Sequence, residues 1–352
     1  MVDLIGRPQI KTFWLVLTYQ CNNRCAGCYA HDSGFRNEPM TRDLAVKIMT
    51  MMKRFGAKDC LLIGGEPTLY HKLPELIEDG TTIGIDCKLV SNGRKLKDKK
   101  YLARLITAGL THVSISIEGA VAETHNSVVR TNSFPETMAA IENSLDLGLS
   151  FNTLLTISRQ TVADVIPLAK RMSGMGVKNI LFNVGLPSPG LGHATVSRDD
   201  FVLDPAAMAK FIGEAYVELK NAGIKAKFFA TIPLCLIQSD LLEAMIKDDY
   251  ISDGTHCHIY YGSGAVFEPN GNVLPCTHFV GRPLFNIFSE GITTVDDFTR
   301  VWYDESNGMH GSFKRTLWKY PSEKCKTCQY WGKCVGGCPF LWSMFKPSQV
   351  IG

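Results

Sequence analysis

The sequence predicts an α/β protein, a partial (β/α)6 TIM-like barrel followed by a small C-terminal domain organised by metal. Three observations lead there. From about residue 12 to 230, short apolar runs alternate with amphipathic helical stretches, the pattern of a parallel sheet buried on both faces. About six βα units fit that span, short of the eight of a complete barrel. Beyond about residue 250 the periodic segments fade, and Gly, Pro, Cys, His and aromatic residues crowd together across 256–264. Such a segment has too few apolar residues to bury a large core of its own.

Taken in order, the apolar runs place strands at Thr12–Thr18, Cys60–Ile63, Cys87–Val90, His112–Ile117, Phe151–Ile157, Asn179–Val184 and Lys225–Phe229. Between them, helical periodicity marks Thr41–Phe55, Lys97–Ala108, Pro135–Leu147 and Thr161–Met175. Asp204-Pro205 supplies an N-cap and a first helical position for a helix running to about Asn221. The chain then divides into a core over 1–230, a linker over 231–254 and an auxiliary domain over 255–352.

Composition narrows the function. A formal net charge of +3 across 352 residues is too small to argue for nucleic acid or an anionic membrane surface as partner. The first residues lack a signal peptide's apolar core, and no apolar run reaches the roughly 18 residues of a membrane span. The expectation is a cytoplasmic protein. Its twelve cysteines then stand out, because a reducing compartment disfavours structural disulfides. Three fall within Cys21–Cys28 and four within Cys325–Cys338, and such clusters point to metal or iron–sulfur ligation.

The first cluster follows the first strand, in Thr18-Tyr19-Gln20-Cys21-Asn22-Asn23-Arg24-Cys25-Ala26-Gly27-Cys28-Tyr29. Three thiolates on one loop can hold three corners of a cubane and leave one iron open, whereas zinc would want a fourth protein ligand. Gly64-Gly65-Glu66-Pro67 follows the second strand, Ser91-Asn92-Gly93 the third, and Ser116-Ile117-Glu118-Gly119 ends the fourth. His125-Asn126-Ser127-Val128-Val129-Arg130 comes next. This order resembles the radical S-adenosylmethionine (SAM) superfamily. The resemblance implies a [4Fe–4S] cluster on Cys21, Cys25 and Cys28 whose open iron takes the SAM amino and carboxylate groups. It assigns SAM binding to Gly64, Gly65, Glu66, Pro67, Asn92, Ser116, Glu118 and Arg130, with Glu66 on the amino group and Arg130 on the carboxylate, a task suited to a guanidinium fork. Two positions depart from the pattern. Gly27 stands where an aromatic is usual, and Glu118 where Asp is usual.

The C-terminal cysteines form Cys257-x13-Gly271-x4-Cys276 and Cys325-x2-Cys328-x5-Cys334-x3-Cys338. This is similar to the SPASM extension of radical SAM maturases, with its two auxiliary [4Fe–4S] clusters. By that likeness Cys257, Cys276 and Cys338 hold the first auxiliary cluster, and Cys325, Cys328 and Cys334 the second. Relatives supply another cysteine beyond the last, yet none follows Cys338 here. The second cluster therefore has a non-cysteine ligand or an open iron, or is absent, and structural zinc on the last four cysteines is the alternative.

Cys60 and Cys87 fall inside strands and read as small buried hydrophobes. Cys235 lies beyond the last strand, where a thiol can return a hydrogen atom to a substrate radical; packing or an unexpected ligand role are its alternatives. His256, His258 and His278 flank cluster cysteines and suit hydrogen bonding around a cluster, and Tyr260 and Tyr261 suit packing. The resemblance implies formation of a 5′-deoxyadenosyl radical, hydrogen abstraction from substrate, and an electron donor such as flavodoxin or ferredoxin. Its first implication for substrate is oxidative modification of a ribosomally made peptide or protein. The second is epimerisation or dehydrogenation of a small molecule such as an aminoglycoside or nucleoside. Only about twenty residues precede Cys21, which leaves no room for an N-terminal peptide-recognition domain and points towards the second, unless a separate recognition protein takes that domain's place.

Overall fold

The computed structural model describes residues 10–33, 38–187, 197–252, 257–258, 262–304 and 320–352. Seven strands run in chain order, β1 Thr12–Val16, β2 Asp59–Ile63, β3 Asp86–Ser91, β4 His112–Ser116, β5 Phe151–Ile157, β6 Ile180–Val184 and β7 Lys227–Phe229. Each pairs in parallel with the next. Among the described residues the sheet has ten strands, with β1 to β7 side by side in chain order and three further strands beyond β1. β1 and β7 do not pair, so hydrogen bonds leave the barrel open.

The helices form where capping and periodicity agree. In α1, Arg42–Phe55, the Thr41 hydroxyl accepts from the Leu44 N–H, Gly56 closes the far end at φ 110°, and Leu44, Ile48, Met49 and Met52 turn inward. Asp98 caps α3, Lys99–Ala108, and Asp204 caps a helix at Pro205–Asn221. The interior is nearly continuous apolar packing, with Phe13, Leu15, Leu62, Leu89, Ile115, Leu155 and Phe182 at 0% exposure. Cys60 and Cys87 are buried in it as expected.

Several elements were not legible in the sequence. Leu73–Ile83 and Ala122–Val129, here α2 and α4, are helices. Within the expected linker, the described residues 231–252 are folded. Its helix Ser239–Lys247 buries Leu242 and Met245, and Tyr250 and Ile251 are buried after it. The C-terminal region also joins the main sheet. β8, Gly264–Phe267, pairs in parallel with β1, and β9, Asn272–Leu274, and β10, Phe285–Asn286, extend it antiparallel. These strands are short and lie among glycines and cysteines, so alternation had too few residues to register. A helix at Val295–Tyr303 packs Phe298 against Phe55 of α1 at 5.3 Å between ring centroids.

Candidate active site and cysteine clusters

Because β1 to β4 are parallel, the loops that follow them emerge at one edge of the sheet, where sites in such folds lie. The motif residues meet there. Cys21, Asn23, Cys25, Cys28, Tyr29, Gly64, Gly65, Glu66, Ser91, Asn92, Ser116, Glu118 and Val129 line one concavity of about 160 Å³. Pro67 is buried just behind it and opens a short turn over Pro67–Leu69.

The β1–β2 pairing continues past the strands. Gly65 N–H donates to Thr18 O at 2.7 Å and Glu66 N–H to Gln20 O at 2.7 Å. A Cβ on Gly64 would sit 2.2 Å from Thr18 O, and one on Gly65 2.4 Å from the carbonyls of Tyr19 and Gln20. Only glycine permits that approach. Glu66, 1% exposed, then accepts four hydrogen bonds, from Thr68 N and Oγ1 (3.0 and 2.6 Å), Ser91 Oγ (2.8 Å) and Asn92 N (2.8 Å). Burial pushes its carboxyl upward against the opposite pull of those donors. One side chain thus ties the loops after β2 and β3 together. Asn92 Nδ2 donates to Asn22 Oδ1 at 2.7 Å, which adds the cysteine loop.

That loop is also held by α4. Arg24 N–H donates to Val129 O and Ala26 N–H to Val128 O, so carbonyls that a helix end leaves free bind the cysteine segment. Asn23 N–H reaches Cys21 Sγ at 3.3 Å and Ala30 N–H reaches Cys28 Sγ at 3.4 Å. Burial raises the Cys21 thiol, lifts Cys28 to about 12, and raises Cys25 well above its usual value, where the charges of Cys28, Glu118 and Cys21 act in the same direction. Three half-buried thiols held this close together call for a cationic group between them. Asn23 Nδ2 is buried without a hydrogen-bond partner, a further donor on the same concavity. The residues fit a three-cysteine cluster with a zwitterionic ligand.

Glu118 accepts from Thr156 N at 3.1 Å, and burial lifts its carboxyl to about 7. Arg130, expected at the SAM carboxylate, lies at the end of the loop-holding helix. It ends α4 with a left-handed φ of 55°, is exposed, and does not line the concavity, whereas Val129 does. At Gly27 a Cβ would lie 2.2 Å from the Phe201 ring. A distant aromatic therefore packs where the motif usually supplies its own.

A second cavity of about 250 Å³ is lined by Cys257, Cys276 and Cys338 together with Trp14, His258, His278 and Phe340. Burial lifts the Cys276 thiol to about 11 and Cys338 well above its usual value. His278 Nδ1 is a buried atom without a hydrogen-bond partner, and its ring lies 5.8 Å from that of Tyr29, beside the first cysteine loop. His258 Nδ1 meets Ser263 Oγ at 3.1 Å, while His256, Tyr260 and Tyr261 lie outside the described residues.

Cys325, Cys328 and Cys334 form the third group, with Cys325 and Cys334 buried. Leu234 N–H donates to Cys334 Sγ at 3.4 Å, which sets the neighbouring Cys235 beside this group. Cys235 does not line the N-terminal concavity. Nothing in its sequence neighbourhood marked this association, because it spans about a hundred residues. Among the described residues, no three His, Cys, Asp or Glu side chains are placed to hold a single metal ion. A cubane separates its ligands by its own width.

Residues 15–172 match the model of the Radical SAM superfamily. The chain is similar to a probable GTP 3′,8-cyclase of Saccharolobus islandicus (strain M.14.25 / Kamchatka #1), 26% identical over 249 residues, covering 70% of this chain and 77% of that protein. It is also similar to Fe-coproporphyrin III synthase of Methanosarcina barkeri (strain Fusaro / DSM 804), 23% identical over 339 residues, 91% of this chain and 81% of that one. Among solved structures, Streptococcus suis SuiB bound to precursor peptide SuiA superposes with a TM-score of 0.71 at 16% identity, covering 96% of this chain and 74% of SuiB. Native anSMEcpe with bound AdoMet and Cp18Cys peptide gives 0.70 at 20% identity, covering 94% and 89%. At these identities the structural likeness establishes the fold.

Proposed function

Since residues 15–172 are a radical SAM domain, we propose that this enzyme opens its reaction by reductive cleavage of SAM at the strand-end concavity and oxidatively modifies a ribosomally made peptide or protein side chain. One observation carries the first half: Cys21, Cys25 and Cys28 line a single concavity with Gly64, Gly65, Glu66, Ser116 and Glu118. When bound there, the cluster and SAM supply a 5′-deoxyadenosyl radical that removes hydrogen from an unactivated carbon. The chain's own residues do the rest. The three thiols give up their protons on ligation. Gly64 and Gly65 keep the wall bare of Cβ atoms, Glu66 and Asn92 fix the loops around the amino group, and Ser116 and Glu118 face the ribose. Asn23 Nδ2 is an unpartnered donor for the carboxylate.

The functional division is proposed at about residue 255, with SAM chemistry before it and auxiliary clusters after it. Support for a peptide substrate comes from SuiB and anSMEcpe, whose folds this chain shares and whose structures hold peptides. A second reading, a small-molecule epimerase or dehydrogenase, is favoured by the names of the sequence relatives, a GTP cyclase and a porphyrin synthase. Reduction of the anaerobically reconstituted protein by a flavodoxin or ferredoxin system with SAM should release 5′-deoxyadenosine, and Cys25→Ala should abolish it. Undiminished release from that variant would defeat the proposal. Peptide and small-molecule candidates are then separated by which one loses two hydrogens, or keeps its mass, by mass spectrometry.

A further inference from the structure

Cys325, Cys328 and Cys334 leave one corner of a cubane unfilled. The fold brings another thiol to them from the opposite direction in sequence. Residues 231–235 run alongside the C-terminal cysteine loop. Cys338 N–H donates to Thr231 O at 2.6 Å. Gly337, at φ 82°, lies so close to Pro233 that a Cβ would meet its ring and nitrogen at 2.9 Å. Leu234 N–H donates to Cys334 Sγ at 3.4 Å. Pro233 then leads into a turn at Leu234–Leu236 that carries Cys235. The ionisable groups that bear on the Cys235 thiol are Cys334, Cys325 and Cys328, and those that bear on Cys325 are Cys334 and Cys328. Four thiols therefore share one neighbourhood.

We propose that Cys235 joins Cys325, Cys328 and Cys334 as the fourth thiolate of an auxiliary iron–sulfur cluster, supplied from before the cysteine-rich region instead of after it. The assignment rests on the reading of the C-terminal cysteines as cluster ligands. Each thiol gives up one proton on ligation, and four thiolates leave no iron open. This cluster is then closed to substrate, in contrast to the three-cysteine set at Cys257, Cys276 and Cys338. It also withdraws Cys235 from the role of hydrogen-atom donor.

The test reads metal instead of turnover. The full chain and its Cys235→Ser, Cys235→Ala and Cys328→Ala variants are reconstituted anaerobically, and iron, sulfide and zinc are counted alongside Mössbauer and EPR spectra. Three clusters correspond to about twelve irons per chain. Both Cys235 variants should lose between one and four irons. They should also lose the same spectral component as Cys328→Ala, with circular dichroism unchanged. If Cys328→Ala loses a cluster while both Cys235 variants match the parent protein, the Cys235 assignment fails and the cluster reading stands. If the parent protein holds only about four irons, or zinc in place of auxiliary iron, the cluster reading fails and takes the assignment with it.

Discussion

Glu66 and His125 show how single buried polar groups hold this site. Glu66 gathers donors from Thr68, Ser91 and Asn92, so Glu66→Gln turns an amide N–H₂ toward the backbone N–H of either Asn92 or Thr68, which can only donate. We expect a loss of about 1–3 kcal/mol of stability by urea denaturation, together with weakened SAM binding by calorimetry. His125 accepts the Glu118 N–H at Nδ1 (3.1 Å) and meets Ser133 Oγ at Nε2 (3.2 Å), an arrangement that requires the neutral ring. Burial lowers its pKa from 6.5 to about 4. The unfolded chain therefore takes up a proton first as pH falls. Stability from the neutral ring is complete above about 6.5 and is lost progressively down to about 4, by the order of 1–3 kcal/mol. Urea midpoints at pH 7.5 and 4.5 should converge in His125→Gln relative to the parent, and an unchanged difference would refute the assignment.

At the scale of elements, the β1 and β2 extensions depend on close backbone approach. Gly65→Ala places its methyl 2.4 Å from two backbone carbonyls that cannot rotate aside. Its cost should be at least about 1–3 kcal/mol, and reconstitution should yield less iron, readable by absorbance. The helix Val295–Tyr303 begins with a reciprocal capping box between Thr294 and Asp297. Thr294→Ala should cost about 1 kcal/mol. Asp297 accepts from the backbone and hydroxyls of Thr293 and Thr294, which lowers its carboxyl to about 2. Its contribution is present above the usual 3.8 and disappears as pH falls through 2, so Asp297→Asn should differ from the parent at neutral pH and match it in strong acid. Helices such as α1 and that at Pro205–Asn221 were readable because caps and period are local. α4 was not, because its eight residues show little periodicity and its Arg130 end is set by the loop it holds.

At the scale of the molecule, core and C-terminal region share one sheet and one apolar interior. Phe267, Phe298 and Trp302 are at most 1% exposed, and they pack with Phe13 of β1 and Phe55 of α1. Residues 1–254 expressed alone would expose the β1 edge and lose these rings. We expect insoluble protein or a molten species by near-UV circular dichroism; a soluble, cooperatively unfolding fragment would show the halves to be independent. No helix among the described residues is long and apolar enough to cross a membrane.

The parallel αβ order, the strand-end position of the motifs and the cysteine loops are written in the sequence itself, because periodicity, turn chemistry and ligand spacing act over a few residues. Tertiary structure alone decided that β8 completes the sheet beside β1, that Phe201 fills the space at Gly27, that Arg130 stands outside the concavity, and that Leu234 N–H meets Cys334 Sγ across a hundred positions. Those contacts join segments far apart in the chain. Their energy comes from packing and backbone pairing that form only once the whole core closes.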